Sequence, residues 1–270
     1  MAYLFWVRMD RILHDAWLDQ SSGVAIVMMK LRTWAGAAAM LALSGAAQSA
    51  LVNRGGGMIY DTTANITWLA DMNYAYTSGY AASGVAPGST WDENTIWTDG
   101  SMGWAAAKNW ADNLVYGGFS DWRLPTLNPS DTTCSNSYDP TGGFGPQYYG
   151  YNCTGGELSR LFVTELGNKA LESVLDQIGD TAEQIANLAL FSNVQSYSYW
   201  SGTEYAPSPG YAWFFFPNYG NLNFTNKESA FYAVAVRPGD VAATVPEPQT
   251  LVLAMMAMGG AMLMRRKQPR

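Results

Sequence analysis

The chain has 270 residues, 14% of them aromatic and 14% charged, with 22 Asp and Glu against 15 Lys and Arg. The excess is concentrated from Leu51 to Gln249, where 19 acidic residues face 7 basic ones, so this stretch repels nucleic acid and anionic lipid. The single histidine is His14, and the rest of the chain lacks the imidazole needed for Ser-His-Asp or Cys-His catalysis, the usual zinc sites and most general-base schemes at neutral pH.

At the N-terminal end, Met28 and Met29 precede Lys30 and Arg32, the apolar run Trp34 to Leu43, and the small residues SGAAQSA ending at Ala50. Basic, apolar and small-residue regions in that order predict a secretory signal peptide over 28–50, cut near Ser49 or Ala50. The apolar run is too short to cross a bilayer comfortably. Residues 1–27 stand ahead of the basic region as an extension, and the expected start is Met28 or Met29. The stretch from Leu51 to about residue 245 is long enough for one domain with its own core.

Met58 to Asp61 and Ile66 to Leu69 are short β-type runs around Thr62-Thr63-Ala64-Asn65, a hairpin pattern with a four-residue turn. The Gly55 to Gly57 run has no strand before it and no helix after it, so it is not a phosphate loop. Thr77 to Asp99 is polar and rich in Gly, Ser and Thr, and reads as a surface loop containing Trp91 and Trp97. Ser101 to Tyr116 is a helix pattern, with Trp104, Ala107, Ala111, Leu114 and Val115 at helical spacing, Ser101 or Asp99 as cap, and Gly117-Gly118 as stop.

The next segment is GFSDWRLPT, Gly118 to Thr126. Trp122 and Leu124 suit the core, Pro125 ends the strand, and Arg123 pairs with a carboxylate or caps backbone carbonyls. Arg123 and Asp121 both read as structural clamps. With YDTTANITWL before it and YWSGTEY, AW and AVRPG after it, the chain resembles the family named after the C-terminal domain of the Legionella collagen-like adhesin, Lcl, over nearly all of 54–240. The tetrad Asp121-Trp122-Arg123-Leu124 with Pro125-Thr126 is the most specific part. The resemblance implies an α+β fold: a single C-type-lectin-like domain over 51–240, with a small, mostly antiparallel sheet and two main helices. A signal peptide and a short C-terminal transmembrane helix flank it. The adhesin further implies binding of extracellular polysaccharide, including sulfated glycans. Its trimer formation carries over poorly, because this chain has no collagen-like Gly-X-Y tract.

In that family a helix with a Glu-Leu pair in its first turn comes after the Pro-Thr. Here the pair is Glu157-Leu158, so Leu127 to Thr154 reads as an insertion. Thr154-Gly-Gly-Glu157 fits a capping box, with Leu158, Leu161, Phe162 and Leu166 as the buried stripe and Gly167 as stop. Thr181 to Gln184 reads as the start of another helical turn. Cys134 and Cys153 lie inside the insertion of an exported protein, where a disulfide is expected, and its loop closure is worth about 3 kcal/mol. Asp131 and Asp139 with Asn136 could hold calcium, but the spacing does not match an EF-hand, and Phe216-Pro217-Asn218 lacks the carboxylate of a calcium-dependent sugar site. The expectation is no metal and no cofactor.

From Tyr197 to Tyr232, 13 of 36 residues are aromatic, and most of the rest are Ser, Asn, Gly, Thr and Pro. Strands are expected near Tyr199 to Thr203, Tyr211 to Phe216, Leu222 to Thr225 and Phe231 to Arg237, with the Asn218 to Asn221 turn between the second and third. In the last strand Ala233, Ala235 and Arg237 share one face, and Tyr232, Val234 and Val236 the other. Trp200, Trp213 and Phe215 are core candidates. Tyr205, Tyr211, Tyr219, Asn218, Asn221 and Asn223 form the displayed set, suited to carbohydrate because a flat ring covers a sugar's apolar face while amides bond its hydroxyls.

At the C-terminal end, Val245 to Pro248 leads into the uncharged run 251–264 and then RRKQPR. The basic end, including Arg265 and Arg266, places the C-terminus in the cytoplasm and the body outside, with the short apolar run as a temporary anchor in the inner membrane. Pro246-Glu247-Pro248, the apolar run and the Arg cluster resemble the PEP-CTERM sorting signal, over 245–270. That resemblance implies cutting by an exosortase and release to the envelope or extracellular matrix. The resulting expectation is an exported, non-catalytic protein associated with extracellular polysaccharide. A self-associating matrix protein and a glycan hydrolase using two carboxylates, with Glu204 as one, stand as alternatives.

Overall fold

The computed structural model describes residues 50–86, 88–89 and 91–241. The expected N-terminal extension, the signal peptide up to Ser49, and the sorting segment with Pro246, Glu247, Pro248, the 251–264 span, Arg265 and Arg266 lie outside the described residues. Among the described residues no helix is long and apolar enough to cross a membrane.

The fold is α+β, with two antiparallel sheets where one small sheet was expected. The first sheet contains β1 (Leu51–Gly55), β2 (Met58–Asp61), β3 (Ile66–Leu69) and β9 (Val236–Pro238), in the order β1-β2-β3-β9. The second contains β4 (Asn136–Tyr138), β5 (Gln147–Tyr151), β6 (Tyr199–Glu204), β7 (Tyr211–Phe216) and β8 (Asn221–Asn226), ordered β4-β5-β8-β7-β6. The bounds of β2, β3 and β7 are those the sequence predicts. β1 was not expected. Gly55, Gly56 and Gly57, all at positive φ, form its tight turn into β2, which gives the glycine run a structural role.

The β2–β3 turn is set by Asp61, whose Oδ1 accepts the amides of Thr63 and Ala64 at 3.0 and 2.9 Å. Every residue of β3 is buried, because the strand lies between β2 and β9 and feeds two hydrophobic clusters. One cluster holds Trp68, Phe162, Trp213 and Phe215; the other holds Trp110, Trp122, Leu124 and Trp200.

The segment 231–236 joins the two. Tyr232, Val234 and Val236 pack into the first cluster, while Phe231, Ala233 and Ala235 pack into the second. This is the alternation expected of a strand, although only Val236–Pro238 pairs regularly. Phe231 and Tyr232 are held instead by bridges to Met102 and Tyr199, so the same segment links both sheets. Fully burying one such apolar side chain contributes about 1.5–3 kcal/mol, so the seam holds the domain together.

The α-helices among the described residues are α1 (Tyr74–Thr77), α2 (Trp104–Asp112), α3 (Glu157–Ser159) and α4 (Ala182–Leu188), and a 3-10 turn, Tyr80–Ser83, follows α1 inside the segment read as a surface loop. α2 is shorter than the 101–116 pattern. Ser101 and Asp99 do not cap it; Asp99 Oδ1 accepts the Ser101 amide and hydroxyl at 3.0 and 2.7 Å, and Gly103 is the cap residue. The capping box at Thr154 is also absent. Gly156 takes the cap position, Thr154 bonds Thr133, and Glu157 turns to Arg123 instead. α3 continues as a π-turn, Arg160–Glu165, with Leu158, Leu161, Phe162 and Leu166 fully buried and Gly167 at φ +76° ending it. Arg160 in that turn binds both Asp61 and Glu165. The box expected at Thr181 does form, with Gln184.

Candidate functional site

The DWRLPT motif is built into the fold. Trp122 and Leu124 are 2% exposed, and the Trp122 indole donates to the Tyr116 carbonyl at 3.2 Å. Asp121 receives two bonds from Arg237, at 2.8 and 3.0 Å, and these lower its carboxyl pKa. Arg123 does both things expected of it: it donates to the Leu124 carbonyl at 3.0 Å and, through two nitrogens, to Glu157 at 2.7 and 2.6 Å. The carbonyl of Pro125 accepts the amide of Gly202 at 2.8 Å, tying the motif to β6.

Cys134 and Cys153 are joined in a disulfide, which fastens the inserted segment ahead of α3. Beside it, Asp131 accepts the Thr133 amide and hydroxyl at 3.0 and 2.6 Å and the Gly155 amide at 2.6 Å. Burial raises the Asp131 pKa, but these hydrogen bonds outweigh it and hold the carboxyl below its ordinary range. Its oxygens therefore serve the loop's own donors, and the neighbouring sulfurs, being bonded to each other, offer no thiolate to a metal.

The displayed set divides. Tyr205 is not displayed: it is 5% exposed and stacks on Phe224 with centroids 3.9 Å apart and planes 4° from parallel. The reason lies in the strand pairing, since Trp213 opposite Phe224 presents one apolar face that Tyr205 covers. Tyr211 is 40% exposed and lies on that same face. Asn221 and Asn223 pair with Phe216 and Phe214 and so lie on the opposite face, where Asn223 Oδ1 accepts the Phe224 amide at 2.9 Å. Tyr219, 44% exposed beside Asn218 in the β7–β8 turn, sets its ring against Phe216 at 5.1 Å.

Phe216 leads to an aromatic concavity. Tyr197, 52% exposed, packs edge-on against Phe216 at 5.5 Å and Phe231 at 5.8 Å. With Trp91, Asp99, Ser101, Ser229 and Tyr232 it lines an open groove of about 350 Å³. Trp91 is 66% exposed and rests edge-on against the buried Trp97 at 6.2 Å. Both exposed rings are thus backed by core rings and held in place without a ligand. Burial, with Asp99 and Tyr197 close by, pushes the Tyr232 hydroxyl pKa up, so it stays a neutral donor.

The loop carrying Trp91 is pinned rather than free. Val85 and Trp97 bridge, Gly103 donates to Thr95 at 2.9 Å, and Ala106 donates to Glu93 at 2.9 Å. Any Cβ on Gly103 would collide with the carbonyls of Asp92 and Glu93, so only glycine lets the loop lie this close to α2. Trp91, Asp99, Tyr197 and Ser229 were absent from the predicted binding set. The available signal was a lone Trp in the polar string STWDEN, while the aromatic density after Tyr197 drew attention to the sheet instead.

Electrostatics narrows what the groove suits. All seven Lys and Arg residues between 51 and 241 are ion-paired: Arg54 with Asp240, Lys108 with Asp112, Arg123 with Glu157, Arg160 with Asp61 and Glu165, Lys169 with Asp180, Lys227 with Glu204, and Arg237 with Asp121. Glu204, the carboxylate considered for hydrolysis, is held by Lys227 at 2.6 Å.

These features define an α+β domain of two antiparallel sheets with an aromatic groove lined by residues of the 91–101 loop and of the segments before β6 and after β8. The chain belongs to the Lcl C-terminal domain family, whose model matches residues 57–237. Neither a curated protein nor a solved structure gave a match.

Proposed function

We propose that this is an exported, non-catalytic domain of the cell envelope or extracellular matrix that binds neutral polysaccharide in the Trp91–Tyr197 groove. The observation that carries the reading is the pair of exposed rings backed by core aromatics, beside Asp99, Ser101, Ser229 and the Tyr232 hydroxyl. Flat rings cover a sugar's apolar face, and the oxygen groups accept from or donate to its hydroxyls. The ion pairing of every cation in the described domain argues for a neutral glycan over a sulfated one. The lack of histidine beyond His14 and the engagement of Glu204 by Lys227 support a role without catalysis.

We take the domain as a C-type-lectin-like module, a reading supported by the long loop segments over the sheets that carry the exposed rings. The Pro246-Glu247-Pro248 signature, apolar run and terminal arginines support transient anchoring in the inner membrane and processing by an exosortase. Mass spectrometry of both termini of protein recovered from culture tests this, with ends near Ala50 and Pro246 expected. Binding is tested by retention on neutral polysaccharide and its loss in Trp91→Ala and Tyr197→Ala.

Self-association is a second reading with its own observation. Leu171, Leu175 and Ile178 are 67%, 50% and 81% exposed on one connecting segment, a display of aliphatic surface that suits contact with another protein. Light scattering over a concentration series tests it; a strict monomer at every concentration contradicts it.

A further inference from the structure

A second concavity, of about 390 Å³, lies between α1 and the end of α2. Its floor is the buried Trp110, and Tyr74, Tyr80, Ser78 and Asn113 line it, with Leu114 and Val115 at the rim. Like the first groove it combines exposed rings with hydroxyls and has no cation in its lining, with the Asn113 amide where the first has the Asp99 carboxylate.

The two concavities are joined by a hydrogen bond between the segments that line them. Asn73, at the start of α1, donates through Nδ2 to the Asp99 carbonyl at 3.1 Å, and Asp99 lines the first groove. Gly100 comes next at φ +90°, and a Cβ built there would meet the Tyr76 Cβ at 2.9 Å. Tyr76 thus abuts the edge of the first groove from within α1, whose neighbours Tyr74 and Ser78 line the second, and its ring is 57% exposed. Asp71 fixes this helix by accepting the Thr77 hydroxyl at 2.6 Å and the Asn73 amide at 3.0 Å. Tyr76 and Tyr80, 57% and 39% exposed, therefore stand on a segment bonded through Asn73 to the Asp99 stretch of the first groove.

Resting on the glycan-binding reading above, we infer that the two grooves form one track for an extended neutral polysaccharide strand, with Tyr76 as the step between them. A groove of this size holds a ligand of a few sugars, and a chain long enough to enter both gains the second contact intramolecularly. Affinity then rises with chain length by at least about tenfold once both grooves are filled. The occupant is an internal stretch of polymer, because an open two-groove surface imposes no chain end.

The test measures the full chain against neutral glucan and N-acetylglucosamine oligomers, from disaccharide to octasaccharide, and their polymers. Wild type, Tyr76→Ala, Tyr80→Ala and Trp91→Ala are compared, with thermal melting as the folding control. Tyr76→Ala keeps the Cβ against Gly100 and removes only the ring. The track predicts that Tyr76→Ala, which touches neither groove's lining, lowers long-chain affinity several-fold and leaves short-oligomer affinity unchanged, that Tyr80→Ala lowers long-chain affinity several-fold, and that Trp91→Ala weakens both. Equal affinity at every length, or a length dependence untouched by Tyr76→Ala and Tyr80→Ala, overturns the track and leaves the single groove standing. No retention at any length overturns the glycan reading and the track together.

Discussion

Replacing Glu157 with Gln tests how the most specific sequence motif is held in place. Glu157 receives two bonds from Arg123, at 2.7 and 2.6 Å, and the Thr126 amide at 2.8 Å, which joins the DWRLPT strand to α3 across the whole inserted segment. Gln keeps the shape but turns one acceptor into a donor facing donors. A hydrogen bond to a charged group contributes about 1.5–3 kcal/mol, and breaking a fully buried pair costs about 3–5 kcal/mol. The Arg123 side chain is 35% exposed, so water recovers part of that, and the expected loss is about 2–3 kcal/mol.

In urea, with a slope of about 1–3 kcal/mol per molar, the midpoint falls by about 1–2 M. A double-mutant cycle with Arg123→Met assigns the loss to the pair. Burial raises the Glu157 pKa, but the bonds from Arg123 and Thr126 outweigh it and the net shift is downward. The stability this contributes is therefore complete above the ordinary glutamate pKa of about 4.3 and is lost as pH falls through the lower folded value. The gap between wild type and variant should close in acid. A loss below about 0.5 kcal/mol, or a gap that does not change with pH, would refute the argument.

Reducing the Cys134–Cys153 bond, which spans 19 positions, should cost about 3 kcal/mol in urea unfolding; an unchanged midpoint would mean the inserted segment is ordered without it. Leu171 sits at φ +65° with its side chain 67% exposed, so Leu171→Asn should stabilise by about 0.5 kcal/mol, read as a higher melting temperature; a drop would show that its side chain packs on something. Gly103→Ala should lower stability by at least about 1–3 kcal/mol and weaken glycan retention together, because the new methyl displaces the backbone that carries Trp91; wild-type retention in the folded variant would sever loop from site.

Local patterns were legible where local chemistry decides. The β2–β3 hairpin arises from two β-type runs around an Asp-anchored turn, and β7 from a dense aromatic run closed by the Asn218-Tyr219-Gly220-Asn221 bend. The reading failed where distant partners outbid neighbours. Thr154 and Glu157 have the spacing of a capping box, but Arg123, 34 positions back, claims the carboxylate. Tyr205 has the polar neighbours of a displayed ring, but the stacking offered by Phe224 buries it. Trp91 and Trp97 share one polar loop, and the bridges of Trp97 to Val85 and of Ile96 to Met102 accompany the burial of one ring while the other stays on the surface. The groove assembles residues from near 91–101, 197 and 229–232, and no local pattern marks such a convergence.

The central claim is that exposed rings on an anion-repelling surface bind a neutral glycan. Affinity electrophoresis in gels carrying a neutral polysaccharide or heparin, run at about 50 and 500 mM salt, tests it most directly. The account predicts retardation by the neutral polymer that is unchanged by salt and abolished in the folded Trp91→Ala, Tyr197→Ala double variant, with none by heparin. Retardation by heparin that weakens with salt, or neutral retardation that survives loss of both rings, would contradict it.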